Sequence, residues 1–467
     1  MTVDRMSPLD ASFLHVEDGV SHMHIGSVAI FEGPAPSHQE LRSMVAGRLP
    51  LVPRYRQTVR FVPLDLGRPV WVDDPHFNLE YHVRHTALPA PGGEEELRRL
   101  VGRVMAQQLD RTKPLWELWF AEGLEDGRWA MVSKTHHCLV DGVSGTDLLT
   151  VMMDLSPEPS APVPDAWSPS PAPSSAELAA QAVVDMLRSP YEQLRAVRAS
   201  TRVPRQALGS AREVISGLGS WAGVVRPTPR STLNGPIGPH RRWAWASTTI
   251  DEIKQVRKGL GGTVNDVVLA AITRGFRDLL TSRGESVEDR VVRTLVPVSV
   301  RSRSASGPAT GDGTYNNQVS AMIAELPVGI VDPAARLEAI RHQMADLKES
   351  RQAVAAEALT SLSGFAPPVL LAVGTRLASR VAQRNVNTVT TNVPGPQVPL
   401  YAVGRKMLRA FPYVPLASQV RIGVAIFSYN GEVNFGVTGD YDSAPDIDVL
   451  CRGIEEGMLE MLKLSGQ

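Results

Sequence analysis

With 467 residues, the chain is long for a single hydrophobic core, so two domains are expected. Its 43% hydrophobic and 21% charged residues are typical of a globular protein, and a net charge of −1 gives no support for nucleic-acid binding. Two cysteines cannot form a disulfide framework. The segment from Met1 to Met6 lacks the features of a signal peptide, and no run reaches the ~20 apolar residues of a membrane span. We therefore expect a cytoplasmic protein.

The first half predicts alternating strands and helices. Ser37 precedes one helix as a cap, and the acidic residues from Glu94 to Glu96 suit the start of another. The predicted strands are His24 to Phe31, Thr58 to Val62, Pro69 to Val72, Leu115 to Phe120 and Trp129 to Thr135. The predicted helices are His38 to Leu49 and Glu94 to Gln108.

A break in composition follows. Ser156 to Ser175 is dense in Pro, Ser and Ala, which predicts an extended, poorly ordered connector. Between Arg188 and Arg230, eight arginines stand against two glutamates, a surplus of six positive charges. Apolar residues are interleaved with these arginines, so the segment either lies on an anionic membrane surface or forms a solvated helical crossover between domains. The sequence leaves both interpretations open.

The second half repeats the strand-then-helix order, so the halves are expected to be distant structural repeats. The dipeptide Asn430-Gly431 between alternating segments predicts a hairpin. The predicted strands are Arg241 to Ile250, Val291 to Val300, Gln318 to Leu326, Gln419 to Tyr429 and Glu432 to Thr438. The predicted helices are Asp251 to Leu260, Thr263 to Thr281, Pro333 to Ser350, Ala353 to Leu362, Val369 to Ala382 and Ile447 to Leu462.

The most informative segment runs from His136 to Gly142 and reads HHCLVDG. It follows a predicted strand and precedes an apolar pattern of helical spacing, so we predict a strand-to-helix turn with Asp141 at the helix start. Successive side chains of a strand point to opposite faces, so His136 and His137 cannot both face one substrate. A histidine, with an ordinary pKa of about 6.5, is a natural general base at neutral pH. One histidine is predicted to act, while the other packs or braces the turn.

The residues around the two histidines limit the types of reaction that the motif could catalyse. Asp141 either accepts a hydrogen bond from a ring or pairs with an arginine. No Gly-x-Ser-x-Gly elbow is present, and Cys138 would point away from His137 on a regular strand, so we predict an apolar filler there rather than a nucleophile. A general base without an enzyme nucleophile favours direct transfer of a group from one substrate to another, in which the base activates the acceptor substrate.

A metal site is a second, less favoured alternative. His22 and His24 could join the two histidines of the motif, but neither HExxH nor cysteine-pair spacing is present. We therefore predict neither a metal nor a bound cofactor.

The spacing of His136, His137, Asp141 and Gly142 resembles the HHxxxDG signature of CoA-dependent acyltransferases related to chloramphenicol acetyltransferase, which peptide-synthetase condensation domains share. Further motifs are similar to those of the bacterial wax ester synthase/acyl-CoA:diacylglycerol acyltransferase family. They span nearly the whole chain in the family's order and are highly specific together. They are Ser7-Pro8-Leu9-Asp10-Ala11, Pro114-Leu115-Trp116, Asn234-Gly235-Pro236, Thr263-Val264-Asn265-Asp266-Val267, Pro297-Val298-Ser299-Val300-Arg301, Asn317-Gln318-Val319 and Asn392-Val393-Pro394-Gly395-Pro396.

The resemblance implies an α/β fold with two chloramphenicol acetyltransferase-like subdomains, which are mixed sheets with flanking helices. They would form a pseudo-dimer with a tunnel between them, in which acyl-CoA, the co-substrate, and an alcohol meet at the histidine. His137 would be the general base that deprotonates the acceptor hydroxyl, His136 a supporting residue, and Asp141 and Gly142 residues that shape the turn. The expected divisions are an N-terminal subdomain at 1–155, a linker and basic crossover at 156–233, and a C-terminal subdomain at 234–467.

Four more residues in these motifs are candidates for substrate binding. Asn265 and Asp266 would shape the tunnel or the subdomain contact, or would cap the helix on which they lie. Pro114 and Trp116 would contact substrate, although packing is the more frequent role of such residues.

The function implied is transfer of a long acyl chain from CoA to diacylglycerol or to a long-chain alcohol, without a covalent acyl-enzyme. One alternative is transfer to a specialised polyketide or sugar hydroxyl. Another is a non-catalytic lipid-binding scaffold anchored by its arginine-rich segment. Peripheral contact with the inner face of the cell membrane or with lipid droplets is left open, and the oligomeric state is not predicted.

Overall fold

In a computed structural model, the described strands build two six-stranded mixed sheets and one small sheet. The structure describes residues 4–139, 151–184, 231–299, 319–349 and 385–466. Helices flank both large sheets, so the prediction of an α/β fold with two sheet-based units is confirmed. The tunnel between them stays a prediction.

The first sheet contains the strand that ends at the two histidines. In spatial order its strands are β12 (Tyr401–Ala402), β13 (Arg405–Tyr413), β2 (His24–Phe31), β7 (Trp129–His136), β6 (Trp116–Glu122) and β5 (Val83–Ala87). Neighbouring strands are antiparallel except β5 and β6, which are parallel. Strand β7 is central and is buried along its length apart from the half-buried Ser133.

Strands β12 and β13 come from the second half of the chain but complete the first sheet. Strand β13 pairs antiparallel with β2, with Ala410 opposite Ala29. The sequence analysis did not predict β13, because Pro412 interrupts a run that otherwise fits a strand. The halves therefore share a sheet, and the divisions at 155 and 233 stay predictions.

The second sheet lies entirely within the second half. Its strands, in spatial order, are β10 (Val319–Leu326), β9 (Val292–Ser299), β11 (Thr388–Val393), β14 (Ile422–Tyr429), β15 (Glu432–Asp440) and β8 (Arg241–Thr249). Strands β14 and β15 form the predicted hairpin, whose turn residues Asn430 and Gly431 have φ values of 45° and 92°. The small sheet has the order β1 (Asp4–Arg5), β4 (Val70–Asp73) and β3 (Gln57–Arg60).

Capping residues set the start of several helices. Ser37, Thr249 and Thr263 each accept a hydrogen bond from the backbone N–H three residues later and form capping boxes. The helices are α1 (Pro8–Val16), α2 (His38–Arg48), α3 (Leu79–His82), α4 (Glu94–Ala106), α5 (Ile250–Leu260), α6 (Val264–Ser282), α7 (Pro333–Glu349) and α8 (Ile447–Ser465). Short 3-10 turns are Leu49–Leu51, Pro53–Arg56, Pro63–Asp65, Glu125–Gly127 and His137–Leu139. Within the described part of the chain, no helix combines the length and hydropathy needed to cross a membrane.

Most predicted elements are confirmed, with ends that differ by at most three residues. The predictions missed α1, α3, β1, β5 and the strands β11 to β13. The helices predicted at 353–362 and 369–382 lie outside the described residues. The arginine-rich segment 188–230 and most of the helix predicted after the histidines also lie outside them.

The connector has neither helix nor strand from 157 to 174, and it is held against the first half of the chain. Asp165 forms an ion pair with the buried Arg56, whose guanidinium lies 4.9 Å from the centre of the Trp167 ring. The backbone N–H of Ser170 donates to Asp73 Oδ2 at 2.9 Å. Residues 175–184 are helical, and Leu178 packs in a cluster with apolar residues of β4.

An apolar cluster joins the two large sheets beside the histidine strand. Trp243 and Trp245 of β8 pack with Phe411 of β13 and with the apolar face of α4. A Cβ atom at Gly436 of β15 would lie 1.8 Å from the carbonyl oxygen of Pro412 in β13, so the backbones of the two sheets are in direct contact there. This contact fixes the position of β13, and through it the position of β2 and β7.

Candidate active site

The histidine motif lies where β7 ends in the 3-10 turn His137–Leu139. The backbone N–H of His136 donates to the carbonyl of Leu115 at 2.9 Å, and that of His137 donates to the carbonyl of Met23 at 2.8 Å. The predicted strand before the histidines is confirmed and a turn follows it, while the predicted helix start at Asp141 stays a prediction. Asp141 and Gly142 lie outside the described residues.

His136 is 1% exposed, and both of its ring nitrogens face other groups. The backbone N–H of Cys138 donates to Nδ1 at 3.2 Å, and the Cys138 sulfur lies 3.0 Å from the same nitrogen. Because an amide N–H can only donate, Nδ1 accepts, and a neutral His136 ring carries its proton on Nε2. Nε2 lies 3.6 Å from Oε2 of Glu17. The His136 ring is therefore enclosed at both nitrogens.

Glu17 is a buried acid that faces two basic side chains, His136 and Arg111. Its side chain is 1% exposed, and Arg111 Nε donates to Oε2 at 2.9 Å. Burial raises the pKa of Glu17, but hydrogen bonds and charge from His136 and Arg111 outweigh that effect and lower it to about 2. Glu17 is therefore ionised at neutral pH.

His137 has a different environment from its neighbour. Its ring stacks on Phe13 of α1, with ring centres 4.0 Å apart and 26° between planes. Burial lowers the pKa of His137 to about 4, against the opposing effect of a hydrogen bond to its own backbone. A neutral imidazole has one donor and one acceptor nitrogen. His137 is therefore neutral at pH 7 and chemically suited to accept a proton.

Cys138 is a buried thiol rather than a thiolate. Burial raises its pKa well above the ordinary value, and the side chain packs in an apolar cluster with Ala11 and Leu14 of α1. This environment agrees with the predicted apolar role, because a nucleophilic cysteine requires the thiolate form. The sequence analysis did not anticipate that its sulfur and its backbone N–H both face His136.

One more histidine and a lysine lie near the motif. His24 lies opposite His136 in the pairing of β2 with β7, and its Nε2 is 2.7 Å from the carbonyl oxygen of Met105. Burial lowers its pKa well below the ordinary value. The fully buried Lys134, whose pKa burial lowers to about 8, donates to the carbonyl of Val104 at 2.9 Å and so ties β7 to α4. Among the described residues, no group of three His, Cys, Asp or Glu is arranged to hold a metal ion.

Pro114 and Trp116 are part of the core under the turn. Trp116 is stacked between Tyr55 and His82, with ring centres at 4.5 and 4.4 Å, and its indole N–H donates to the Tyr55 carbonyl at 2.8 Å. The buried Pro114 accepts a hydrogen bond from the backbone of Trp116. Between them, Leu115 accepts from the backbone of His136. These contacts support packing and anchoring of the motif, and a role in substrate binding stays a prediction.

Asn265 and Asp266 lie in the first turn of α6. Asp266 is buried, and its Oδ2 accepts from the backbone N–H of Thr263 at 2.7 Å, which is the capping role that the sequence left open. The Oδ1 atom of Asn265 is 3.5 Å from the amide nitrogen of Asn392. Two of the sequence motifs therefore meet at this point, while their contact with substrate stays a prediction.

The sequence analysis missed Phe13, Glu17 and Arg111. Glu17 lies 119 positions before His136 in the chain, and Arg111 lies 94 positions after Glu17. Only the tertiary fold brings these residues together. The one local signal was the Ser7-to-Ala11 motif, which marks the start of the helix that carries Phe13.

Comparison with known proteins identifies the family of this chain. The model of the wax ester synthase/diacylglycerol acyltransferase (WS/DGAT) catalytic domain matches residues 6–268, and that of the WS/DGAT C-terminal domain matches residues 315–462. The chain belongs to the WS/DGAT family. It is therefore an acyltransferase, and the histidine turn lies within the part matched by the catalytic-domain model.

The matches to individual relatives extend over almost the whole of this WS/DGAT chain. A probable diacylglycerol O-acyltransferase of Mycobacterium tuberculosis is 38% identical over 474 residues, which cover 99% of this chain and 96% of that protein. The solved structure of a wax ester synthase/diacylglycerol acyltransferase from Marinobacter aquaeolei VT8 superposes with a TM-score of 0.69 at 27% identity, covering 99% of this chain and 100% of that chain. The trichothecene 15-O-acetyltransferase of Fusarium sporotrichioides shares the fold, with a TM-score of 0.61 at 16% identity over 98% of this chain and 94% of that chain.

Proposed function

We propose that this protein transfers a long-chain acyl group from CoA to diacylglycerol or to a long-chain alcohol, with His137 as general base. The observation that carries the proposal is the unequal environment of the two histidines. His136 faces other groups at both ring nitrogens, whereas His137 is neutral and stacked on Phe13. The names of the relatives in Mycobacterium and Marinobacter support the choice of donor and acceptors.

In the proposed reaction, His137 removes the proton from the acceptor hydroxyl as the oxygen attacks the thioester carbonyl carbon. The new C–O bond gives a tetrahedral intermediate, and its collapse breaks the C–S bond. The proton held by His137 then passes to the departing thiolate, which leaves as free CoA. No enzyme nucleophile takes part, in keeping with the protonated, buried thiol of Cys138.

The test is release of free CoA from a long-chain acyl-CoA in the presence of dispersed diacylglycerol or hexadecanol. Loss of a general base lowers a rate by about 10²- to 10⁴-fold, so His137→Ala is expected to lower kcat by that factor. His342→Ala is the matched control, because His342 is an exposed histidine on α7. An active His137→Ala variant would contradict the proposal.

Competition among acceptors separates the proposal from its alternatives. Diacylglycerol and hexadecanol should each suppress transfer to the other, and polyketide or sugar alcohols should not compete. Preferred transfer to one of those alcohols would identify a specialised acyltransferase instead. Absence of CoA release with any acceptor would favour a lipid-binding scaffold.

We also propose that the protein meets its acceptor at a lipid surface as a peripheral protein. Diacylglycerol does not leave a bilayer or droplet readily, and the loop between β3 and β4 exposes apolar groups beside a cation. Leu64 is 86% exposed, Phe61 is also exposed, and Arg60 precedes them. Burial of such side chains in a membrane interface is favourable.

Flotation with vesicles that contain anionic lipid tests this location. The double variant Phe61→Ser/Leu64→Ser should float less than the unchanged protein, and Leu155→Ser, at another exposed apolar residue, is the control. Equal flotation of all three proteins would exclude this loop as the contact. Flotation that disappears in high salt would instead indicate a mainly electrostatic contact.

A further inference from the structure

Helix α1 carries two side chains, one turn apart, that contact the two histidines separately. Phe13 stacks on the ring of His137, and the carboxylate of Glu17, the residue that ends the helix, faces Nε2 of His136. The backbone N–H of Glu17 donates to the carbonyl of Phe13 at 3.2 Å, so the two residues are spaced i and i+4. Residues at this spacing lie on the same face of a helix.

The position of α1 is itself fixed by packing and by its cap. Ser7 accepts from the backbone N–H of Asp10 at 3.1 Å, and its hydroxyl donates to the Asp10 carboxylate at 2.6 Å. Ala11 and Leu14 are buried in a cluster that includes Cys138 of the histidine turn. The Ser7-to-Ala11 motif therefore starts a helix that is packed directly on the turn.

Arg111 links the C-terminal end of α1 to the carboxylate of Glu17. Its Nη2 donates to the carbonyl of Leu14 at 3.1 Å, and its Nε donates to Glu17 Oε2. A cation near the last carbonyls of a helix is favourable because of the helix dipole. His136 and this guanidinium together lower the pKa of Glu17, so the ionised carboxylate can accept from the Nε2–H of His136 when the two groups approach.

We propose that Glu17 is a positioning residue of the acyl-transfer site, which acts through His136 and is held in place by Arg111. With Nδ1 accepting from Cys138 and Nε2–H directed at Glu17, the His136 ring has one tautomer and one orientation. The turn that begins at His136 then holds His137 against Phe13. This inference rests on the proposed role of His137 as base.

The test compares Glu17→Gln and Glu17→Asp with the unchanged protein in steady-state CoA release. Glu17→Gln preserves the size of the side chain but removes its charge. We expect kcat to fall by about 10- to 100-fold, the range known for loss of a partner that orients a metal-binding histidine, with an unchanged KM for acyl-CoA. Glu17→Asp, which keeps the charge, should recover part of the rate. Glu285→Gln, at a half-buried acid paired with Arg290 in the second half, is the matched control and should keep its kcat.

A double-mutant cycle with His136→Gln distinguishes positioning from general stability. If Glu17 acts through His136, Glu17→Gln should have little further effect on kcat once His136 has been replaced. Independent, additive effects would overturn the inference, as would a full kcat in a folded Glu17→Gln variant. If the Glu17→Gln variant does not fold, two measurements take its place. They are the kcat of Glu17→Asp, which should keep part of the rate, and the double-mutant cycle of Glu17→Asp with His136→Gln. An active His137→Ala variant would instead remove the proposed function, whatever Glu17 does.

Discussion

Desolvation of the His137 ring predicts an unusually acid-tolerant reaction. For a general base, the neutral form is active, so activity is present above the pKa and is lost as the pH falls through it. Burial lowers the pKa of His137 to about 4, whereas an exposed histidine titrates at about 6.5. At pH 5.5, roughly 97% of His137 would be neutral, compared with roughly 9% of an exposed histidine. The expected difference in rate at that pH is therefore about tenfold.

The assay measures kcat/KM for CoA release between pH 5 and 8, because this parameter reports ionisations of the free enzyme. A disulfide reagent that reacts with thiols in acid, such as 4,4′-dithiodipyridine, keeps detection independent of pH. We expect a nearly constant value from pH 8 to 5.5. Phe13→Ala, which uncovers the ring, should move the acid limb upward toward 6.5 because less desolvation opposes the charged form.

Circular dichroism at each pH and recovery of the full rate on return to pH 7.5 serve as controls for unfolding. A tenfold fall in kcat/KM between pH 7.5 and 5.5, in protein that stays folded, would refute this reasoning. It would mean either that His137 is not buried in the free enzyme or that another group is the base.

Three predictions concern packing and stability. Gly436→Ala should lower the free energy of unfolding by more than about 3 kcal/mol, because its Cβ would overlap the Pro412 carbonyl, while Gly19→Ala, with open space around it, should have little effect in thermal unfolding. Trp116→Phe should lower the free energy of unfolding by about 1 kcal/mol through loss of the indole hydrogen bond, and it should leave KM unchanged. A raised KM at unchanged stability would show substrate contact instead. Burial lowers the pKa of His82 to about 4, so the unfolded chain binds a proton that the folded one does not, and His82 should contribute about 2 kcal/mol to the loss of stability from pH 7 to 5. Chemical denaturation should show a smaller loss of stability between pH 7 and 5 in His82→Gln than in the unchanged protein. An equal loss in both proteins would argue against His82 as its source.

Local sequence signals predicted much of the secondary structure because they act over a few residues. Ser37 and Thr263 form capping boxes with the residue three positions later, and Asn430-Gly431 adopts the positive φ values of a tight hairpin. The strand-to-turn position of the histidines followed from the same kind of local pattern.

The missed features depend on contacts that are distant in sequence. No pattern within α1 shows that Glu17 will meet His136 and Arg111, because three separate parts of the fold position those side chains. The pairing of β13 with β2 joins segments more than 370 positions apart in the chain. Such pairings depend on the complementarity of surfaces that exist only after each part has formed.

The shared first sheet also affects the order in which the protein can fold during synthesis. Strand β2, next to the histidine strand, has its second edge covered only by β13, which ends at residue 413 of 467. While the ribosome makes the intervening residues, that edge has unpaired backbone groups, which are prone to pair with other chains. A fragment that stops before residue 405 would keep this hazard permanently. Such truncated chains should therefore aggregate, even though they contain both histidines.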